Sequence, residues 1–393
     1  MIKSLFWIFL GIIIYAYLGY TLLLWVIFLV KRWVCKRKII PEITKDNLPE
    51  VTLFISAYNE KEIIREKIIN TNQLNYPADK LKQLWVTDGS DDGSVEMLKE
   101  YNGSTVLHEK ERKGKSHAIN RGIPFVKSPV VIFSDANTML SEDCILKLVS
   151  HFHDERTGCV AGEKRLVYTD ADGAVGSGEG IYWKYESIIK WLESEINGTI
   201  SAAGELYAIR TSLFKPIPDD TLVDDFIISL NIARQGYKIK YEPNAYANET
   251  SSASMEEEMK RKVRIATGGI QTFLRFPEFL NIFKFGFFSF QYFSHKVLRW
   301  TLVPFSFLFI FILNLLLILN FSGFYSLYVI LFFIQCLFYL LVLLGAVLKN
   351  ARLKIKLLFL PYYLFFMNFS IITGYFRYLG GKHTVKWEKA KRN

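Results

Sequence analysis

The chain has 393 residues, of which 51% are hydrophobic and 16% aromatic, and a formal charge of +10. That length leaves room for one domain of about 200–250 residues beside membrane segments. The basic residues gather beside apolar runs and lack the stacking aromatics of RNA-binding motifs, so nucleic-acid binding is not expected.

Leu5–Val30 carries no charge and is long enough to span a hydrocarbon core of about 30 Å. A cleaved signal would have a shorter apolar region and a small-residue cleavage site, whereas Lys31-Arg32 follows here, so an uncleaved anchor is expected. Lys31, Arg32, Lys36, Arg37 and Lys38 lie after it against Lys3 before it, which by the positive-inside rule puts residue 31 onward in the cytoplasm. Cys35, Cys144, Cys159 and Cys336 have no metal-ligand spacing, and reduced thiols are expected.

Residues 39–50 read as a linker, after which strand and helix patterns alternate. Strands are predicted at 51–56, 83–87, 104–107, 130–134 and 158–167, and helices at 60–72, 93–100, 114–123 and 141–152. This order implies an α/β domain with a mostly parallel sheet covered on both faces. A Gly-rich turn at 173–180, a helix at 181–195, a strand pair near 199–210, a helix at 224–235 and a strand at 237–242 follow. A basic helix is then expected at 256–268. The aromatic stretch 279–297, broken by Lys284, Gly286, Gln291, His295 and Lys296, suits an interfacial helix. Residues 302–319, 324–348 and 357–375 are candidate spans. Three crossings set the basic tail 382–392 outside, against the charge rule, and two leave one apolar segment re-entrant; hydropathy favours three.

Ligands of open α/β sheets sit outside the carboxyl ends of the strands, where these apolar runs turn polar. After the first strand, Tyr58 can stack on a base and Glu60 accept from its N–H groups, or Asn59 can cap the next helix. Asp88, in Asp88-Gly89-Ser90-Asp91-Asp92-Gly93, can bind a ribose or base, or the segment is a turn capped by Asp92. Lys115 opens a helix and can meet a diphosphate; a P-loop fails because Glu109 stands where glycine is needed. Asp135, with Asn137 beside it, can hold Mg2+ or Mn2+ between phosphates, or caps a turn. Asp224-Asp225 disfavours double ionisation, which raises one carboxyl toward general-base range, or supplies a helix cap. Arg261 and Arg264 share a helix face and can neutralise a leaving diphosphate, or line a membrane-surface helix paired with Glu256–Glu258. His151-x-His153 reads as a surface helix end.

Taken together, these motifs resemble the membrane-integrated family 2 glycosyltransferases of GT-A (Rossmann-like) fold, the group of cellulose, chitin-oligosaccharide, hyaluronan and poly-N-acetylglucosamine synthases. The resemblance covers about residues 45–300 in motifs, and the flanking segments in architecture. It implies an anchor at 1–38, a cytoplasmic catalytic domain at 39–276, and an interfacial helix with spans at 277–393, in the plasma membrane. It implies that Ala57, Tyr58, Glu60 and Asp88 contact uridine and Lys115 the diphosphate. Asp135 matches the first acid of DxD, Asp225 the catalytic base beside Asp224, and Gly204-Glu205-Leu206-Tyr207 the acceptor region. Arg261, Arg264 and Ile265 fall on QxxRW. Asn137 replaces the second DxD acid, Arg261 the Gln, and Ile265 the Trp that would stack on an acceptor sugar, with Gln271 as a compensating residue. The implied activity is inverting transfer from a UDP-sugar to a growing polysaccharide. The alternatives are single transfer to a membrane lipid, or a non-catalytic scaffold. Membrane lipids are expected neighbours; protein partners are not specified.

Overall fold

The computed structural model describes residues 1–35, 47–167, 173–250, 252, 254–320, 327–348, 356–381 and 384–385, with backbone alone at 173–179 and 356–358. Most of the expected linker, Lys36 to Lys38 and nearly all of the basic tail lie outside the described residues.

Helix α1, Ile2–Val34, is continuous through a π-helical turn at Tyr15–Gly19. The alternating region follows as β1 Val51–Ala57, α2 Lys61–Asn72, β2 Leu81–Asp88, α3 Ser94–Glu100, β3 Thr105–Glu109, α4 Lys115–Gly122 and β4 Val130–Asp135. Next come β5 Met139–Leu140, α5 Cys144–Ser150, β6 Thr157–Val167, α6 Gly173–Ile196, β7 Leu206–Arg210, α7 Asp224–Arg234, β8 Lys238–Thr250 and α8 Met255–Arg275. One eight-stranded sheet collects all the strands in the order β3-β2-β1-β4-β7-β6-β8-β5, in which β7 and β5 run against the rest. The central strands are apolar along their length because each face has its own core. Phe54, Val131 and Phe133 point to one, and Leu53, Ile55 and Ile132 to the other.

The second half departs from expectation in several places. The glycines of 173–180 belong to the first turns of α6 and not to a separate turn. Near 199–210 only β7 is a strand, and β8 runs on to Thr250 through alternating buried positions. The 279–297 stretch is not one interfacial helix. Asn281 and Gly286, at φ 55°, break it into short helices before a π-helical turn at Tyr292–Val297. Phe279 and Tyr292 are buried in the core on the Phe54 face of the sheet, while Phe283 is fully exposed.

Helices α9 Leu302–Asn320, α10 Leu327–Val347 and α11 Lys356–Leu379 complete the described chain. With α1, that makes four helices among the described residues that are long and apolar enough to cross a bilayer, and the protein is a membrane protein. Close packing joins α8 to α11: a Cβ added at Gly374 would lie 2.7 Å from the Ala266 Cβ. At the end of α1, Lys31 donates to the carbonyl groups of Glu195 and Ile196, capping α6 and tying the sheet domain to the Lys31 end of that span.

Candidate functional site

The register aligns Ala57 with Thr87, and Ser56 with Asp135, so β1, β2 and β4 end side by side. Because β7 is reversed, Ser134 pairs with Leu206, which brings the residues just before β7 to the same edge. A cavity of about 570 Å³ opens there, lined by Ala57, Tyr58, Glu60, Asp88, Lys115 and Asp135 among others. It continues past Gly204, Asp225 and Arg264 to Tyr17 of α1 and Tyr363 of α11.

Turn chemistry sets the edge after β1 and β2. Asn59 sits at φ 52°, and its side-chain amide exchanges hydrogen bonds with Asp91: Nδ2 to Oδ1 at 2.9 Å and Asp91 N to Oδ1 at 3.0 Å. Asp92 takes the capping role, accepting from Lys61 N at 3.0 Å and Ser94 N at 3.0 Å. Gly89 (φ 70°) is required by the close approach of the next loop, since a Cβ there would be 2.7 Å from the Arg112 Cβ. That approach lets Asp88 accept from Lys113 N at 2.8 Å and Gly114 N at 2.7 Å. Asp88 therefore aims the loop into Lys115 and keeps only its spare lone pairs for a ligand. The Arg112 guanidinium covers one face of Tyr58, 3.7 Å from the ring centroid. Thr384 and Val385 also reach the cavity, with Val385 against Gly114.

Lys115 is the hub. Its Nζ lies 2.7 Å from Asp135 Oδ1 and 3.6 Å from Asp224 Oδ2. Burial opposes its charge, but Asp135 and Asp224 overcome that and raise the ammonium above its ordinary value. Asp135 itself is raised by burial, against the pull of Lys115. Asp225 is pushed up to about 7 by burial and by Asp224, in spite of Lys115. It faces Gly204, where an added Cβ would be 3.5 Å from Asp225 Oδ2, so glycine keeps the approach to that oxygen open.

Both arginines line the cavity, with different partners. Arg261 lies in a buried ion chain, its Nε 3.0 Å from Glu258 and its guanidinium 3.5 Å from Glu249. Lys164 extends that chain, joining Glu249 to Glu205 at 2.8 Å. Arg261 thus lines the cavity while held by carboxylates of the fold. Arg264 lines the same cavity, where burial lowers its pKa while Asp224 and Asp135 oppose that fall. Of the expected acceptor residues, Gly204 and Glu205 line the cavity. Leu206 and Tyr207 turn into opposite cores, Tyr207 stacked on Phe133 at 4.8 Å. Gln271 does not compensate at the cavity wall. It clamps the backbone before α7, with Nε2 to Asp220 O at 2.9 Å and Oε1 accepting from Leu222 N at 3.3 Å.

For a divalent cation, the donor set is Asp135 with Asn137. Among the described residues no three His, Cys, Asp or Glu side chains form a metal cluster, so a bound cation would need ligand oxygens as well. Asn137 Oδ1 is buried without a hydrogen-bond partner, and Asp224 Oδ2 likewise. A buried acceptor left unsatisfied beside a carboxylate fits a hard cation bound together with a diphosphate.

Sequence reasoning missed the membrane-side half of the cavity. Trp300 lines it, seated over Gly269, where a Cβ would fall 1.7 Å from the indole. Tyr182 and Trp183 of α6 line it too, as do Lys190, Lys296 and Arg299. The only local signal was the run of charges within aromatic segments.

Known proteins resemble this chain in sequence and in fold. Residues 52–199 match the model of glycosyl transferase family 2, and residues 130–369 that of glycosyl transferase family group 2. The poly-beta-1,6-N-acetyl-D-glucosamine synthase of Staphylococcus aureus is 29% identical over 247 residues, covering 60% of this chain and 58% of that protein. The Staphylococcus epidermidis protein of the same name is 24% identical, covering 57% and 56%. The chain therefore matches little more than half the length of these curated relatives. A mannosyltransferase from Pyrobaculum calidifontis, solved with GDP-Man and Mn2+, aligns over 98% of this chain and 100% of its own with a TM-score of 0.69 at 21% identity. That likeness establishes the fold as the expected GT-A type with attached membrane helices.

Proposed function

The chain belongs to glycosyl transferase family group 2 and is a glycosyltransferase, and on that premise we propose an inverting transfer from a UDP-sugar to a hydroxyl of a growing β-linked polysaccharide. One observation carries the reading. Asp225, pushed up to about 7, faces the opening at Gly204 in the same cavity as the Lys115–Asp135 pair. A carboxylate of that basicity can take the proton of an acceptor hydroxyl as the oxygen attacks the anomeric carbon. Lys115 and Arg264 meet the negative charge that grows on the departing diphosphate. Ala57, Tyr58, Glu60 and Asp88 form the wall for the uridine, and Gly204 and Glu205 that for the acceptor.

Asp135 and Asn137 would hold Mg2+ or Mn2+, which when bound supplies further charge neutralisation at the diphosphate. The Mn2+ and nucleotide-sugar of the structural neighbour support this assignment, and the names of the staphylococcal relatives support a polysaccharide product. The Lys31 cap on α6, next to the basic residues that follow α1, supports a catalytic domain on the cytoplasmic side of the plasma membrane. The cavity's continuation to α1 and α11 supports export coupled to synthesis. A lipid acceptor is the second reading, favoured by the apolar wall of Leu18, Leu360, Leu364 and Met367.

The test is UDP release by the purified full chain with a panel of UDP-sugars and Mg2+ or Mn2+, beside Asp225→Asn, followed by product sizing. Metal-dependent release with one sugar, lost in the variant, supports the reading, and a ladder of products supports polymerisation. No release from folded protein with any UDP-sugar overturns it.

A further inference from the structure

Helix α2 carries two polar side chains that reach the segment holding Asp135 and Asn137. Lys67 is fully buried, yet it makes no ion pair among the described residues. Its Nζ donates to Ser134 Oγ at 2.8 Å and to the Thr138 carbonyl at 2.6 Å, the residues on either side of Asp135-Ala136-Asn137. These two residues are also tied together: Ser134 Oγ lies 3.3 Å from Thr138 Oγ1, and Thr138 Oγ1 donates to the Asp135 carbonyl at 3.0 Å. From β1, the Ser56 carbonyl accepts from Ala136 N at 3.2 Å. Asn70, one turn along the same face of α2, exchanges hydrogen bonds with the Leu140 backbone, Nδ2 to the carbonyl and Leu140 N to Oδ1, both at 2.8 Å.

Taking an ammonium out of water is costly, and a hydroxyl and a carbonyl return less than a carboxylate would. An apolar side chain would fill the space behind β4 without that cost. What it would not do is hold both ends of the turn at once, which an ammonium, with several N–H donors on one atom, can do. The turn presents the Asp135 carboxylate and the Asn137 amide, whose Oδ1 is buried without a hydrogen-bond partner. Groups two positions apart serve one hard cation only where their oxygens converge, so the backbone between them must be fixed. Asp135, Ala136 and Asn137 form the cavity wall here, and Lys67 lies in the core behind them.

We propose that Lys67 is a positioning residue, clamping the turn from Ser134 to Thr138 so that Asp135 and Asn137 present a divalent-cation site of fixed geometry. This rests on the metal assignment in the transfer reading and deepens it, by adding a residue outside the cavity on which cation affinity depends.

The experiment follows Mn2+ binding to the full chain in neutral detergent with UDP present, read from loss of the free-ion electron paramagnetic resonance signal. Lys67→Met keeps an unbranched side chain and removes the donors, and it should weaken Mn2+ binding about tenfold or more, the effect typical of groups that orient a metal ligand. Loss of charge alone would do the reverse, because an ammonium near the site repels the cation. Asn70→Ala is the comparator: it frees Leu140 and leaves both Lys67 bonds, so it should lower thermal stability with Mn2+ affinity unchanged. In Lys67→Met the dependence of UDP release on free Mn2+ should shift by the same factor and the rate should recover at saturating metal, whereas a misfolded fraction would lose rate at every concentration. Tighter or unchanged Mn2+ binding in folded Lys67→Met, or equal weakening in Asn70→Ala, overturns the proposal. If Lys67→Met does not fold, Ser134→Ala decides, since it removes the 2.8 Å partner and keeps the lysine: weaker Mn2+ binding supports the clamp and unchanged binding overturns it. Absence of saturable Mn2+ binding by the unaltered chain overturns the metal assignment and the clamp together. Absence of UDP release from a chain that still binds Mn2+ overturns the transfer reading alone.

Discussion

Replacing Asp225 by asparagine should abolish transfer and yet stabilise the protein, increasingly so as pH rises. Burial and the Asp224 charge raise the Asp225 carboxyl from 3.8 to about 7. A carboxyl whose folded pKa is raised binds more protons folded than unfolded between those values, so stability falls as pH climbs from about 4 to 7 and then levels off. The full difference corresponds to about 4 kcal/mol. Water reaching the cavity-facing oxygens reduces this, and about 1–3 kcal/mol is the expected gain on removing the charge. Asparagine keeps the shape and can still accept from Phe226 N, which Asp225 Oδ1 does at 2.9 Å. Thermal unfolding of both proteins, followed by intrinsic fluorescence at pH 5 and pH 8, should show the variant melting higher at pH 8 by roughly 2–8 °C. At pH 5 the gap should shrink to about a third to a half of that, and it should close only below about pH 4. In parallel, UDP release by the unaltered enzyme should rise with pH through about 7. A variant that melts lower at pH 8, or a rate independent of pH across that range, would refute the account of Asp225 as a buried base held at a cost.

Four further outcomes follow from the same geometry. Asp224→Asn removes the like charge that helps to raise Asp225, so the acid limb of the pH–rate profile should move to lower pH; an unmoved limb counts against the pair. Lys115→Met leaves Asp135 without its 2.7 Å partner and removes a cation from the leaving-group side, so UDP release should fall about 100-fold or more in steady-state assays. Chelation with EDTA should suppress release and added Mn2+ or Mg2+ should restore it, while Asp135→Ala should not respond to the metal; this is read from rate against free metal. Gly269→Ala forces a Cβ to 1.7 Å from the Trp300 indole and should cost about 1–3 kcal/mol or displace the ring, whereas in a Trp300→Ala background the same change should be nearly neutral, as a double-mutant thermal series would show.

The strand-end half of the cavity was legible in the sequence for a physical reason. Parallel strands buried on both faces must be apolar until they leave the sheet, so the switch to polar residues at Tyr58, Asp88 and Asp135 marks the edge where ligands sit. Leu206 and Tyr207 entered through the resemblance, as part of an acceptor region; β7 starts at Leu206, and two-residue alternation sends neighbouring side chains into opposite cores. For Arg261, helix spacing showed the face it shares with Arg264 and the pairing with Glu258, whereas Glu249, on another element, lay beyond local reading.

The membrane-side chamber was illegible for a deeper reason. It draws Tyr17, Lys190, Arg299 and Tyr363 from four segments far apart in the chain, and no local period links them. The charges in 279–297 suggested a bilayer interface, where such groups would be solvated. In the fold His295 lies buried between Glu186 and Glu193. The acids of α6 carried the complementary half of that signal. Charge placed in an apolar segment is expensive unless a partner meets it, and a second segment with acids at helical spacing is where that partner belongs. Glu186 and Glu193 are seven positions apart, two turns of one helix, and His295 bridges both with its two ring nitrogens. Read as a pair, the segments predict a packed helix contact where either one alone suggests a membrane surface. Lys190 lies between those acids in sequence and faces the cavity beside the Trp183 and Tyr241 rings.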